Sequence, residues 1–226
     1  GAGAWAPVRL IETVLIAVPG GVEYTALLAA GANWESDGVK KAVAHYTKLL
    51  GYANTASDGD DWPGAVDAVI DGKAAYNVMG DWAVAEFTAK GKKDSVDYTY
   101  FAVPGTKGVF DFLADSFTLP KGAKNPGGSK DWLNLIGSAE GQKAFNLAKG
   151  SIPARTDVAP NDFPPYQQTA MASFKSDKIA PSIAHGAAVS QAWNSDISSA
   201  ISKFYGSKNQ ATLIADLVAA AKKNAV

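Results

Sequence analysis

The stretch Gly72-Lys73-Ala74-Ala75-Tyr76-Asn77-Val78-Met79-Gly80-Asp81-Trp82 decides the fold class. An amphipathic segment precedes it, with Ala65, Val66, Ala68, Val69 and Ile70 gathered on one side of a helix. Asp71-Gly72 supplies a turn, and Ala74 to Met79 reads as a buried strand ending on Gly80. The glycine lets the backbone turn sharply, so Asp81 and Trp82 are expected at the strand's carboxyl end. In open α/β sheets ligands occupy the crevice beyond those ends. An indole beside a carboxylate suits a sugar: the ring stacks on the apolar C–H face of a pyranose, and the carboxylate accepts hydroxyl protons.

Working outward, the periodicity predicts helices over Val8–Val18 and Glu23–Ala30, and a third capped by Ser36 or Asp37 with Val39, Val43, Tyr46 and Leu50 in register. Asn54 to Asp61 is a polar loop, and Pro63 suits the first turn of the next helix. A short helix is predicted from Trp82 to Ala89. Tyr98–Val103 reads as a strand, and Val109–Leu119 alternates and stops at Pro120. Helices are predicted over 129–136, 139–148, 165–175, 187–204 and 209–223, with an irregular connector from Pro153 to Pro165. Strands separated by helices argue an α/β fold.

Composition narrows the function classes. The 226 residues carry 21 Lys and Arg against 22 Asp and Glu, so no basic stripe exists to hold nucleic-acid phosphates. No apolar run reaches the roughly 18 residues that would span a bilayer, and the start has neither the charged region nor the cleavage site of a signal peptide. Cysteine is absent, which excludes disulfides, thiolate metal sites and a cysteine nucleophile. Only two histidines are present, and no Walker loop, HExxH or GxSxG occurs. Gly1 to Ala6 fits GxGxxA superficially, but no strand precedes it. No metal and no cofactor is expected.

GKAAYNVMGDW (72–82), VPGTKGVFDFLADSFTLPKGAKNP (103–126), FNLAKGSIPARTD (145–157) and IAPSIAHGAAVSQAW (179–193) resemble the solute-binding proteins of bacterial sugar ABC importers, glucose/galactose type. The resemblance implies a helix-rich, type II periplasmic-binding-protein-like lobe with part of its partner lobe. Residues 1–104 would form the first part of the second (C-terminal) lobe, 105–150 would belong to the first lobe, and 151–226 would complete the second. Most of the first lobe has no counterpart, so the chain is expected to begin inside the second. The 108–150 segment would then carry an exposed sheet edge and an uncovered helix face. A periplasmic or cell-surface location follows from the resemblance, with any export signal or lipid anchor upstream of Gly1. So do a neutral sugar ligand, ABC permease subunits as partners and a monomeric state.

The candidate ligand residues are Trp82, Asp81, Asp115, Lys149, His185, Trp62 and Trp5. Asp81 also suits a helix cap. Asp115 stands in Leu-Ala-Asp-Ser-Phe, an otherwise apolar strand, where a buried carboxylate needs donors. Lys149 ends a helix, where a cation complements the macrodipole, and the resemblance places it on the sugar. His185 precedes a helix and could donate to a hydroxyl. Trp62 and Trp5 each precede a helix, at places where the family puts aromatics facing the cleft. The remaining indoles are assigned to packing: Trp132 and Trp193 to core or interface, Trp34 to the cover of a helix end. His45 reads as a surface residue and Arg155 as an ion-pair partner. A glycoside-active enzyme using Asp81 and Asp115 is the alternative, and a helical interaction protein a third reading that leaves the polar strand-end residues unexplained.

Overall fold

A computed structural model describes residues 5–54 and 61–225. The GxGxxA pattern at the start and the polar loop Asn54–Asp61 fall mostly outside those residues. In chain order the elements are α1 (Trp5–Ala17), α2 (Gly21–Ala26), α3 (Asp37–Leu50), α4 (Trp62–Ile70), α5 (Ala83–Ala89), β1 (Val109–Phe112), α6 (Pro126–Gly137), α7 (Ala139–Lys149), α8 (Pro165–Ser176), β2 (Lys178–Pro181), α9 (Gln191–Ser207) and α10 (Gln210–Asn224). They divide between two compact units. The first holds the chain through Val78, Tyr100–Leu113 and everything from Asp177 onward; the second holds Met79–Thr99 and Ala114–Ser176.

The first unit is built on α1, whose Val8, Ile11, Val14, Leu15 and Ile16 are all buried. Helix α3 packs along it with Val39, Ala42, Val43 and Tyr46, the residues its period places on one face. Its start is fixed by Ser36, whose hydroxyl accepts from the Val39 N–H at 3.2 Å. The hairpin of α9 and α10 closes the core with Ile197, Ile201, Phe204, Leu213 and Leu217. Tyr46 stacks on Phe204 at 5.7 Å, and Trp34 meets Trp193 edge-on at 6.5 Å. Trp34 also donates its indole N–H to the carbonyl of Leu27, the C-cap of α2, at 3.0 Å. It therefore covers a helix end, as expected, while being 2% exposed.

The sheet is smaller than the sequence predicts. Among the described residues β1 pairs in parallel with β2, from Val109 opposite Lys178 to Phe112 opposite Pro181. Ala74–Met79 forms no strand and is not buried; Tyr76 is 76% exposed and meets Phe101 edge-on. Tyr98–Val103 is irregular apart from a single bridge between Tyr98 and Asp94. Only the first four residues of Val109–Leu119 are strand. In each case the residues have the propensity but lack a paired neighbour, and propensity without a partner makes no ladder. The Arg9 guanidinium instead donates to the Val78 carbonyl, satisfying one backbone acceptor at the end of the unpaired run.

The second unit has a thin apolar core, drawn from Phe87, Ile136, Val158 and Phe163. Phe87 stacks on Tyr98 at 4.0 Å. A hydrogen-bonded knot around the end of α7 adds to it. Gln167 of α8 donates to the carbonyls of Asn146 and Ser151 at 2.8 and 2.5 Å, and Ser151 donates to Asn146 Oδ1 at 2.7 Å. The Gln142 side chain accepts from the Ala154 N–H at 2.9 Å. Trp132 does not join a core: it is 47% exposed, edge-on to Phe117 at 6.0 Å.

Trp34→Ala should therefore destabilise the first unit by about 3–5 kcal/mol, from a lost large side chain and an orphaned carbonyl. Trp132→Ala should cost roughly 1 kcal/mol or less. Urea unfolding of both variants checks this, and equal losses would contradict the two burials.

Candidate functional site

In the second unit three of the expected ligand residues come together. Helix α7 ends on Lys149, and Gly150 follows in the left-handed conformation at φ 82°. A Cβ on Gly150 would lie 3.0 Å from the Asp81 carbonyl oxygen and 3.2 Å from the Ala85 nitrogen. The glycine thus both terminates α7 and lets that end approach the first turn of α5. Lys149 donates to the Asp115 carboxylate and passes over the Phe145 ring at 5.7 Å.

Asp81 sits at the same place. Burial pushes its carboxyl up to about 6, Lys149 and the Trp82 backbone N–H pull against that shift, and Asp115 adds to it. The Lys149 ammonium is ion-paired with Asp115 and acts on Asp81 electrostatically. Trp82 is the N-cap residue of α5 and is half-buried, with no side-chain cap bond at that helix end. Its indole lies over Gly80, where a Cβ would overlap the ring. Gly80 is required there less for a strand-end turn than for room beside the indole. Asp115 departs from expectation in one respect: it lies beyond the end of β1 and its side chain is 55% exposed. Its donor is Lys149, so the cost of an unpaired buried charge does not arise.

The first unit holds Trp5, Trp62 and His185. Trp62 opens α4 on an Asp61 cap, its N–H donating to Asp61 Oδ1 at 2.7 Å. Trp5 opens α1, and its ring lies 5.7 Å from the His185 imidazole, tilted 54°. His185 stands in the turn that follows the carboxyl end of β2, where the topology of a parallel sheet puts a ligand group. His45 is exposed on α3, and Arg155 makes a paired contact with Asp157 at 2.6 and 2.7 Å, both as expected.

Glu12 was not singled out from the sequence. It is fully buried on α1 and holds the turn that carries His185. One carboxylate oxygen accepts from the Ile183 and Ala184 N–H groups at 2.7 and 3.0 Å; the other accepts from the Ser182 hydroxyl at 2.7 Å. Ser182 Oγ also lies 3.0 Å from His185 Nδ1 and accepts from the His185 N–H at 3.2 Å. Tyr24 donates to the Pro181 carbonyl at 2.7 Å and Asn194 to the Ile183 carbonyl at 2.8 Å, so the turn is fixed residue by residue. Burial and the nearby Asp111 push the Glu12 carboxyl up to about 8 against its three donors. A lone acid within Leu-Ile-Glu-Thr-Val-Leu-Ile was the available signal, of the same kind that drew attention to Asp115.

Residues 3–181 match the family model for bacterial extracellular solute-binding proteins. An uncharacterised ABC transporter extracellular-binding protein of Pyrococcus horikoshii is 37% identical over 223 residues, covering 97% of this chain and 50% of that protein. A probable sugar-binding periplasmic protein of Brucella suis is 35% identical over 191 residues, covering 82% of this chain and 45% of the relative. Among solved structures, the solute receptor AcbH, described as exclusively preferring β-D-galactopyranose, superposes with a TM-score of 0.78 at 22% identity, over 97% of this chain and 57% of the receptor. A chitin oligosaccharide binding protein gives a TM-score of 0.76 at 16% identity, over 99% of this chain and 59% of that one. The helix-rich α/β fold is thus that of periplasmic solute-binding proteins, and the chain spans about half the length of the curated relatives it matches. The chain belongs to the bacterial extracellular solute-binding protein family.

Proposed function

We propose that this chain carries much of the ligand site of an exported sugar receptor serving an ABC importer, with a neutral hexose or short oligosaccharide of the glucose/galactose type as cargo. The observation that carries this reading is the cluster of Asp81, Asp115 and Lys149 at the Trp82 end of α5. Two acceptors, one donor and an indole gathered where the start of α5 meets the end of α7 are the chemical complement of a pyranose. The probable sugar-binding role of the Brucella relative and the galactopyranose preference of AcbH support the substrate class.

Asp81 and Asp115 accept hydroxyl protons in this reading, Lys149 donates, and Trp82 stacks on the sugar's C–H face. In the first unit, His185, flanked by Trp5, and Trp62 are further ligand-binding candidates in this reading, one polar and one aromatic. A receptor of this kind closes on its ligand by a hinge and presents the closed form to the permease. It works as a monomer and without a cofactor. The alternative, a glycoside-active enzyme, asks one of the two acids to deliver a proton. An acid already ion-paired with Lys149, as Asp115 is, favours holding over proton delivery, and a receptor must release its cargo unaltered.

Tryptophan fluorescence titrated with neutral mono- and disaccharides should show a saturable change for one sugar class. Asp115→Ala should weaken that binding at least tenfold, about 1.5–3 kcal/mol, while unfolding stays cooperative; unchanged affinity would remove Asp115 from the site. Because the Asp81 carboxyl is pushed up to about 6, it loses its acceptor role at a milder acidity than an ordinary aspartate. Affinity should therefore hold above pH 7 and fall as the pH drops through about 6, and Asp81→Asn should abolish that step. Monosaccharide released from a disaccharide over hours would favour the enzyme.

A further inference from the structure

The hydroxyl of Ser182 has one proton to give and two lone pairs to fill. One lone pair takes the His185 backbone N–H, at 3.2 Å. Glu12 Oε1 at 2.7 Å and His185 Nδ1 at 3.0 Å then compete for the hydroxyl proton and the remaining lone pair. For a ring that carries one proton, two arrangements satisfy these bonds, and they differ in the proton on Glu12. With Glu12 ionised, Ser182 donates to the carboxylate, so Nδ1 must carry the imidazole proton and donate to Ser182. Nε2, across the ring, is then a lone-pair acceptor. With Glu12 protonated on Oε1, that proton is donated to Ser182, the hydroxyl turns to donate to Nδ1, and the imidazole proton moves to Nε2. One proton enters from solvent and stays on Glu12; the imidazole keeps a single proton throughout and changes only which nitrogen holds it.

We propose that Glu12, acting through Ser182, selects the tautomer of His185 and so decides whether its Nε2 offers a lone pair or a proton to the ligand. The ligand half of this statement rests on the receptor reading above; the tautomer half does not. Glu12 is a positioning residue: it lies beneath the turn and acts only through Ser182. The charged and titratable groups around it are Asp111 on β1, Arg9 on its own helix, Tyr24 on α2 and His185 itself. Asp111 and burial hold the Glu12 proton into the neutral range, at about 8, which puts the switch within reach of ordinary buffers.

The test is two-bond proton–nitrogen correlation spectroscopy on sugar-free protein labelled with nitrogen-15 histidine, which distinguishes the two tautomers. His45, exposed on α3, is the internal control. Between about pH 7 and about pH 9, His185 should pass from the Nε2–H to the Nδ1–H form. Glu12→Gln, whose amide nitrogen can only donate to Ser182, should hold the Nε2–H form throughout. Ser182→Ala leaves Glu12 its two backbone donors and should uncouple the ring, and Ser182→Thr should restore the pH response. A His185 ring that keeps one tautomer across this range in the wild-type protein, and the same one in Ser182→Ala, overturns the proposal even where Glu12→Gln fails to fold. Titration with D-galactose and D-glucose reads the other half separately. A tautomer switch without binding of either sugar would stand as support for the relay and count against the receptor reading.

Discussion

A carboxylate with no exposed surface, set in the apolar face of α1, is the constraint to which the first unit conforms. Glu12 could not remain there without partners, because a buried carboxyl, ionised or protonated, is costly when its oxygens are left unpaired. The turn after β2 supplies them through two backbone N–H groups and the Ser182 hydroxyl. That arrangement fixes where β2 must end relative to α1, hence where its partner β1 lies, and hence the position of Asp111 and Arg9. The polar cluster is a registry device as much as a source of stability, since misplacing the turn would strand the acid. His185 inherits its position from the same requirement.

The second unit relies on different forces. Its apolar core is small, and Trp132, Leu135, Phe117 and Leu147 stay substantially exposed. What fixes the end of α7 is the buried Gln167 and Asn146 pair, with Ser151 and the Gln142 side chain completing the network. Such networks are directional, so they hold a lysine in a defined place more strictly than apolar packing would. Gly150 then allows the close approach that sets Lys149 beside Asp81. A site that must meet several hydroxyls at fixed angles is well served by this kind of support.

The helices were largely legible in the sequence, because amphipathic period and caps are local properties. The Ser36 cap, the Val39–Val43–Tyr46 face and Pro63 in the first turn of α4 all stand as read. The strands were not, because a strand depends on a neighbour that composition cannot name. Ala74–Met79 has the look of a strand and no partner among the described residues, while Lys178–Pro181, four residues ending in proline, gave no periodic signal and became β2. At the site, Asp81, Asp115 and Lys149 could be picked out by the family motifs, yet the approach of Asp81 to the end of α7 is a property of α5 and α7 meeting in space. Trp132 was assigned to core or interface because it lies within a helix, and its exposure contradicts the core half of that reading; Glu12 was not weighed. In each case the local pattern was correctly read as helical, but which face would find a covering layer was decided by distant parts of the chain.

The pairing of Val109 with Lys178 and of Phe112 with Pro181 has a consequence for synthesis. Residues 114–176 of the second unit lie entirely between the two strands. On the ribosome, therefore, β1 emerges long before β2 and waits unpaired while the intervening unit is made. Closing so long a loop is entropically slow, and an unpaired strand is an invitation to pair with another chain. The Glu12 carboxyl waits as well, because its donors in the turn after β2 emerge only after residues 114–176 of the second unit. Folding of the first unit is thus committed late, after residues 178–184 and the α9–α10 hairpin that closes its core, and the nascent chain is most exposed to misassembly in the interval before them.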